Sequence, residues 1–248
     1  MKNFCNRCLV NWHVLVGLTL LLELALSPTL SAADLQKKTL IIGVDGTMSQ
    51  YLAVAQTPNL DALKTGGCFT DRAVTAPVTH SAACWSSMFT GVWGDKNGVQ
   101  DPGNNMSSNK FNLYPNFLKR LEQVDSNYHT VAFLRWCDLG TALSGVDLVQ
   151  CFGSDAAITT ATCNYLSTNN PDAFYTILLD VDSAGHNPGW GTPTYVSAIE
   201  TADGRVGQIM NALTNRPTYA NEDWLVIILA DHGQHDSTTE NSRLVRRS

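Results

Sequence analysis

The chain has 248 residues and a mass of 27.0 kDa, with 44% hydrophobic and 15% charged residues and a formal net charge of −6. This length favours one large domain, and the apolar fraction excludes a wholly disordered or collagen-like chain. The pI near 5.4, without a Lys/Arg cluster, gives no sign of a nucleic-acid-binding surface, because such a surface needs a basic face.

The N-terminal segment has the features of a secretory signal peptide. Lys2 and Arg7 give it a positively charged N-terminal region, and an apolar run extends from Val14 to Leu26. Small residues that suit cleavage by a signal peptidase follow. We therefore expect residues 1–33 to be removed and residues 34–248 to form the mature domain, secreted or held in the lumen of the secretory pathway. The alternative is an uncleaved membrane anchor, although this run is short for a span of about 20 residues. After cleavage we expect no stable membrane span.

Export would place the remaining cysteines in an oxidising compartment. Cys151 and Cys163 form the easiest local bridge to propose, because they are close in sequence. Sequence alone does not determine the connectivity, and an odd number of cysteines leaves at least one unpaired. The cysteines outside the leader are Cys68, Cys84, Cys137, Cys151 and Cys163.

Short apolar runs then alternate with amphipathic segments along the chain. Continuous apolar character predicts buried strands at Thr39–Val44, Thr130–Leu134, Ala173–Val181 and Trp224–Ala230. A helix is predicted over Pro58–Lys64, which begins with proline and stops before two glycines. Apolar residues spaced by four and three from Tyr195 to Leu213 predict a long helix packed on a sheet. The alternation predicts an α/β fold, a mostly parallel central sheet with helices on both faces.

Acidic residues and histidines follow three of the predicted strands. Asp45 follows the first strand, Asp182 and His186 lie at and after the end of the third, and Asp231 with His232 follows the last. A single one of these could be a solvated loop residue. Together they lie at the edge of the sheet where active sites of such folds occur, and both residue types bind divalent metals.

Ser81 is the candidate nucleophile. It begins a segment that is predicted to pass from a loop into a helix. Backbone N–H groups at a helix N-terminus favour an anion such as phosphate. A serine hydroxyl is a weak nucleophile at neutral pH, and metal coordination is one way to activate it. The assignment of Ser81 as a nucleophile therefore depends on the candidate metal ligands that would activate it.

Five segments of the sequence resemble the alkaline phosphatase superfamily, and within it the type I phosphodiesterase/nucleotide pyrophosphatase branch. In chain order they are Val44–Gly46, Thr57–Leu63, Ser81–Val99, Asp182–Trp190 and Ala230–Gly233. The resemblance implies an alkaline phosphatase-like fold. It also implies metal-dependent hydrolysis of phosphodiester or pyrophosphate bonds in a small phosphorylated substrate, either a nucleotide or a headgroup.

The resemblance further implies two divalent metal ions, with zinc expected and manganese or magnesium as alternatives. Four residues match the ligands of the first ion: Asp45, Ser81, Asp231 and His232. The serine oxygen would also be the attacking atom. Two residues match ligands of the second ion: Asp182 and His186. The family has a further histidine downstream of Asp-His-Gly, and the one available here is His235, nearer along the chain than usual.

The sequence also departs from the family pattern. The family has a substrate-binding asparagine just past Gly98 and Val99, but a direct count reaches Pro102, so Asn104 or Asn105 could serve only after a local shift. The strands expected after Asp-His-Gly are absent, which predicts a chain truncated at its C-terminus.

Three alternative functions therefore stay open. A sulfatase would have arginine where Trp85 stands and a second aspartate beside Asp45. A phosphomonoesterase would use the same ligands. A truncated or degenerate copy would have no catalytic activity.

Overall fold

A parallel five-stranded sheet forms the centre of the fold. Residues 35–100 and 103–234 are described in the computed structural model, and the strands among them are ordered β3-β2-β4-β1-β5. Every pairing between them is parallel, which confirms the predicted sheet. The strands are β1 (Gln36–Val44), β2 (Thr130–Leu134), β3 (Leu148–Cys151), β4 (Ala173–Leu178) and β5 (Glu222–Leu229).

Helices occupy the connections between these strands. The α-helices are α1 (Ser49–Leu52), α2 (Pro58–Gly66), α3 (Ser81–Thr90), α4 (Gly94–Asn97), α5 (Phe117–Val124), α6 (Asp155–Thr168), α7 (Asp180–Ala184) and α8 (Pro193–Thr214). Shorter 3₁₀ segments span Cys137–Leu143 and Tyr219–Asn221, and a π turn spans Gly185–Gly189. Among the residues described, no helix combines the length and apolar character needed to cross a membrane.

Helices cover both faces of the sheet, as predicted. Along β1, Leu40 and Ile42 point into one apolar cluster and Ile41 into the other, because successive side chains of a strand alternate. Residues of α2, α6 and α8 complete the first cluster, and residues of α3 and α5 complete the second. The helix that begins at Ser81 is therefore anchored by its own apolar residues against the sheet.

The long helix α8 matches its sequence pattern closely. All six residues of the predicted stripe are buried: Tyr195, Ile199, Ala202, Val206, Ile209 and Leu213. The helix begins with Pro193, and the Thr192 side chain accepts a hydrogen bond from the Tyr195 N–H at 3.3 Å. This start brings the Tyr195 side chain close to the carboxyl end of β1.

The predicted boundary of the third strand was wrong. β4 ends at Leu178 rather than Val181, and Asp180 begins the short helix α7. The cause is the buried carboxylate of Asp155, which accepts hydrogen bonds from the Leu179 N–H at 3.0 Å and from the Asp180 N–H at 2.8 Å. These bonds turn the chain out of the sheet, so Asp182 lies on a helix rather than on a strand.

The proposed Cys151–Cys163 bridge is also wrong. The disulfide joins Cys137 to Cys151, with their Cα atoms 5.5 Å apart. The parallel register places Cys151 opposite Leu134 at the end of β2, and Cys137 follows only three residues later. Cys163 lies on α6 and has a free thiol, as do Cys68 and Cys84.

Candidate metal and nucleophile site

The carboxyl ends of three neighbouring strands form the candidate site. Asp45 directly follows β1, Asp182 lies on α7 just after β4, and Asp231 with His232 follows β5. Because β1 lies between β4 and β5, the three connecting segments meet above the same part of the sheet. The sequence predicted that these four residues lie together at one edge of the sheet, and the structure confirms that position.

The ligand atoms of three residues form a compact group. One oxygen each of Asp45 and Asp182 and a ring nitrogen of His232 all lie within 4.8 Å of one another. His232 Nε2 is 3.4 Å from Asp45 Oδ1 and 3.4 Å from Asp231 Oδ2. Except for Asp182, which is half-buried, these side chains are shielded from solvent.

Ser81 lies against this group. Its Oγ donates a hydrogen bond to Asp45 Oδ1 at 3.3 Å and is 3.0 Å from His232 Nε2. The serine is the first residue of α3, and the helix ends at Gly91, which adopts the left-handed conformation that favours glycine. The predicted loop-to-helix junction is confirmed, and the N-terminus of α3 lies next to the candidate metal ligands.

Burial raises the pKa values of the three carboxyl groups, and repulsion by a neighbouring carboxylate adds to the shift for Asp45 and Asp231. Burial raises the pKa of Asp45 to about 6, against the favourable interaction with His232. Burial and the neighbouring Asp45 raise the pKa of Asp231 well above its usual range. Burial also raises the pKa of Asp182, and the imidazoles of His232 and His186 oppose that shift. The group therefore has an excess of negative charge that a cation would relieve.

The donor atoms fit a divalent metal ion. Asp182 Oδ1 and Asp231 Oδ2 are buried and accept no hydrogen bond, although buried carboxylate oxygens normally have partners. His232 Nδ1 is 2.7 Å from the Gly233 carbonyl oxygen and donates to it, which leaves Nε2 available as a ligand atom. Carboxylate oxygens with imidazole nitrogen suit zinc and manganese.

The residues predicted for a second ion are only partly assembled among the described residues. His186 Nε2 lies 3.5 Å from Asp182 Oδ1, and the histidine is about half exposed, with a side-chain exposure of 45%. Its ring packs edge-on against Trp190, with the ring centres 5.7 Å apart. His235, the third predicted ligand, lies outside the described residues.

Of the two candidate asparagines, Asn104 lies beside the nucleophile. Its Oδ1 accepts a hydrogen bond from the N–H of Ala82, the residue after Ser81, at 2.9 Å. Its backbone has φ of 58°, a left-handed conformation that is uncommon outside glycine. Asn105 instead accepts a hydrogen bond from the Ser107 N–H within its own exposed turn. The local shift expected from the sequence thus places Asn104 at the site.

Two further residues hold the site together and were missed by the sequence analysis. Tyr195 OH donates to the Gly46 carbonyl at 2.7 Å and accepts from the Met48 N–H at 3.0 Å, which fixes the turn after Asp45. Trp85 Nε1 donates to Asp45 Oδ2 at 2.7 Å. Tyr195 was assigned only to a core stripe. The four-residue spacing of Trp85 from Ser81 was the available signal for the tryptophan.

A groove of about 1360 Å³ opens beside the candidate ligands. Asp231 and His232 line one part of it, and Cys84 and Met88 from α3 line another. Phe69 and Val74 bring exposed apolar side chains to its rim. The site therefore adjoins a space large enough for a small organic substrate.

The fold and this set of residues define a member of the alkaline phosphatase superfamily. The family model described as type I phosphodiesterase/nucleotide pyrophosphatase matches residues 39–131 and 129–246. The chain belongs to this family, and the resemblance inferred from the five segments is confirmed.

A curated protein and several solved structures are similar to this chain. Ectonucleotide pyrophosphatase/phosphodiesterase family member 3 of Rattus norvegicus is 25% identical over 232 residues, covering 83% of this chain and 26% of that protein. A murine ectonucleotide pyrophosphatase/phosphodiesterase 5, solved as an inactive variant in complex with AMP, is 16% identical with a TM-score of 0.60. That match covers 79% of this chain and 57% of the murine chain.

A 2-O glycosaminoglycan sulfatase shares the fold to the same degree. Its TM-score is 0.60 at 16% identity, over 80% of this chain and 58% of the sulfatase. The chain therefore spans a little over half the length of these solved relatives and about a quarter of the rat protein.

Proposed function

We propose that this chain is a metal-dependent hydrolase of phosphodiester or pyrophosphate bonds, with Ser81 as its nucleophile. The observation that carries the proposal is the position of the Ser81 hydroxyl. It lies at the start of α3, within 3.3 Å of both Asp45 Oδ1 and His232 Nε2. One buried oxygen of each neighbouring aspartate, Asp182 Oδ1 and Asp231 Oδ2, accepts no hydrogen bond. This arrangement puts a nucleophile beside a site for cations.

Two zinc ions are the cofactors that we propose for this site. Asp45, Asp231 and His232, together with Ser81, would hold one of them. Asp182 and His186 would hold the other, with His235 as the remaining candidate. When bound, the ions would lower the pKa of the serine hydroxyl and neutralise charge on the phosphoryl group.

The chain's own residues account for the proposed steps. Ser81 Oγ loses its proton to solvent and forms a bond to phosphorus while the opposite ester or anhydride oxygen leaves with its electron pair. The phosphoryl group, with its remaining substituent, is then esterified to the serine. Water attacks the phosphorus, the serine oxygen leaves with its electron pair, and it takes up a proton to regenerate the hydroxyl while the second proton of the water goes to solvent. The Asn104 side-chain NH₂ group, held beside Ser81 by the hydrogen bond from the Ala82 N–H to Asn104 Oδ1, would bind a non-bridging oxygen, and the N-terminus of α3 favours its negative charge.

A nucleotide is the substrate that we favour over a lipid headgroup. The matched family is named for nucleotide pyrophosphatases, and the murine relative was solved with AMP. We also propose that the chain enters the secretory pathway, through the predicted signal peptide at residues 1–33, which lie outside the described residues. The Cys137–Cys151 disulfide supports this location, because disulfides persist mainly in oxidising compartments.

A sulfatase is less well supported than a phosphodiesterase. The turn after β1 has no room for a second acidic side chain, because a Cβ added at Gly46 would lie 2.8 Å from the Asp182 Cα. Gly46 also has φ of +69°, where a side chain is strained. The activity assay described next distinguishes the proposed phosphodiesterase from a phosphomonoesterase and from a non-catalytic copy.

Hydrolysis of bis-p-nitrophenyl phosphate by the zinc-loaded chain tests the proposal. We expect turnover that EDTA removes and that Ser81→Ala abolishes, while the circular dichroism spectrum of the variant stays unchanged. p-Nitrophenyl phosphate and p-nitrophenyl sulfate, assayed in parallel, identify a monoesterase or a sulfatase if either is cleaved faster. A folded, zinc-loaded chain that cleaves none of the three would identify a non-catalytic copy.

A further inference from the structure

A tryptophan one helical turn beyond Ser81 contacts the same carboxylate as the serine does. Trp85 is fully buried, and its Nε1–H donates to Asp45 Oδ2 at 2.7 Å. Ser81 Oγ donates to the other oxygen, Oδ1, at 3.3 Å, and His232 Nε2 lies 3.4 Å from that same oxygen. Because residues four apart share one face of a helix, α3 holds both oxygens of a single carboxylate.

The indole ring is held from several sides. Gly43 of β1 passes so close that an added Cβ would lie 2.4 Å from Trp85 Cη2. Phe89 stacks on the ring with its centre 6.1 Å away, and Tyr175 meets it edge-on at 5.7 Å. A ring packed in this way has little freedom to turn, so its N–H keeps a fixed direction.

We propose that Trp85 is a positioning residue that makes Asp45 a metal ligand through one oxygen only. This inference rests on the proposed function, since it requires the site to bind a divalent ion. With Oδ2 engaged by the indole N–H, Oδ1 is the oxygen directed toward Ser81 and His232. A carboxylate bound through one oxygen suits zinc, which takes about four ligands, whereas calcium takes about six to eight oxygens, some from bidentate carboxylates. Trp85 therefore favours zinc over calcium.

Zinc and calcium binding to the metal-free chain, measured by isothermal titration calorimetry with chelator competition, tests this role. Trp85→Phe removes the N–H donor, and Phe89→Leu is the matched control, because it disturbs the same aromatic cluster without touching Asp45. We expect Trp85→Phe to weaken zinc binding by about 10–100-fold, the usual effect of losing a partner of a ligand. Phe89→Leu should stay within about twofold of the wild type, and the preference for zinc over calcium should fall in Trp85→Phe alone.

Two results would overturn the inference. One is a Trp85→Phe variant that binds zinc as tightly as Phe89→Leu does, and the other is an unchanged preference for zinc over calcium. A wild-type chain that binds no zinc would contradict the proposed function itself and remove the premise. These outcomes are distinguishable, because the wild type is titrated first and without substrate.

A shape-preserving replacement covers the case in which Trp85→Phe does not fold. Replacing Trp85 by 3-benzothienylalanine keeps the size of the ring and exchanges the N–H for sulfur. We expect the same loss of zinc affinity and an altered visible absorption spectrum of the cobalt-substituted protein, which reports ligand geometry. Wild-type zinc affinity with an unchanged cobalt spectrum would show that the ring acts only through packing.

Discussion

The metal-free chain should become less stable as the pH rises, because the candidate site then holds uncompensated negative charge. Burial raises the pKa of Asp45 from 3.8 to about 6. Between these two values the folded state binds more protons than the unfolded state, so the free energy of unfolding falls as the pH rises. A shift of this size corresponds to about 3 kcal/mol over the whole window, and about 1 kcal/mol of it is lost between pH 5 and pH 7. The raised pKa values of Asp182 and Asp231 act in the same direction.

Denaturant unfolding in EDTA at pH 5, 6 and 7 measures this effect, with Asp45→Asn as the control. The asparagine does not titrate, can still accept the Trp85 hydrogen bond and relieves the repulsion on Asp231. We therefore expect metal-free Asp45→Asn to be more stable than the metal-free wild type at pH 7, by up to about 3 kcal/mol, and to depend less on pH. The reasoning would be refuted if the metal-free wild type lost no stability, relative to Asp45→Asn, between pH 5 and pH 7.

Three further substitutions test other parts of the structure. Gly43→Ala should lower the free energy of unfolding by about 1–3 kcal/mol in denaturant melts, because its Cβ would overlap Trp85; an unchanged midpoint would contradict that packing. Tyr195→Phe should cost about 1–3 kcal/mol in the same assay by leaving the Met48 N–H without its acceptor, and a neutral effect would count against that role. Asp182→Ala should lower the zinc content by about one ion per chain, measured by atomic absorption, and an unchanged content would exclude a second ion there.

The sequence predicted the frame of the sheet because burial leaves a local pattern. Apolar runs located four of the five described strands, and the spacing of four and three located the buried face of α8. The rule for the carboxyl ends of parallel strands then brought Asp45, Asp182 and His232 to one place, where their ligand atoms lie within 4.8 Å.

Features that depend on contacts between distant segments were not predictable in the same way. The end of β4 is set by the Asp155 carboxylate, which belongs to a different helix. The partner of Cys151 is set by the register of β3, a short edge strand with little apolar pattern of its own. No role in the site was predicted for Trp85, since its bond to Asp45 appears only once α3 lies against β1.

The strand β5 has a consequence for how zinc binding would change the local stability of the chain. It is an edge strand in the described sheet, yet Asp231 and His232 extend from its end toward Asp45, which directly follows the neighbouring β1. Edge strands open locally at a lower free energy than central strands. An ion bound by both Asp45 and His232 would link the ends of the first and last described strands. That ion would have to dissociate before β5 could separate from β1. Amide hydrogen exchange along β5 should therefore slow on zinc binding more than exchange along β4 does.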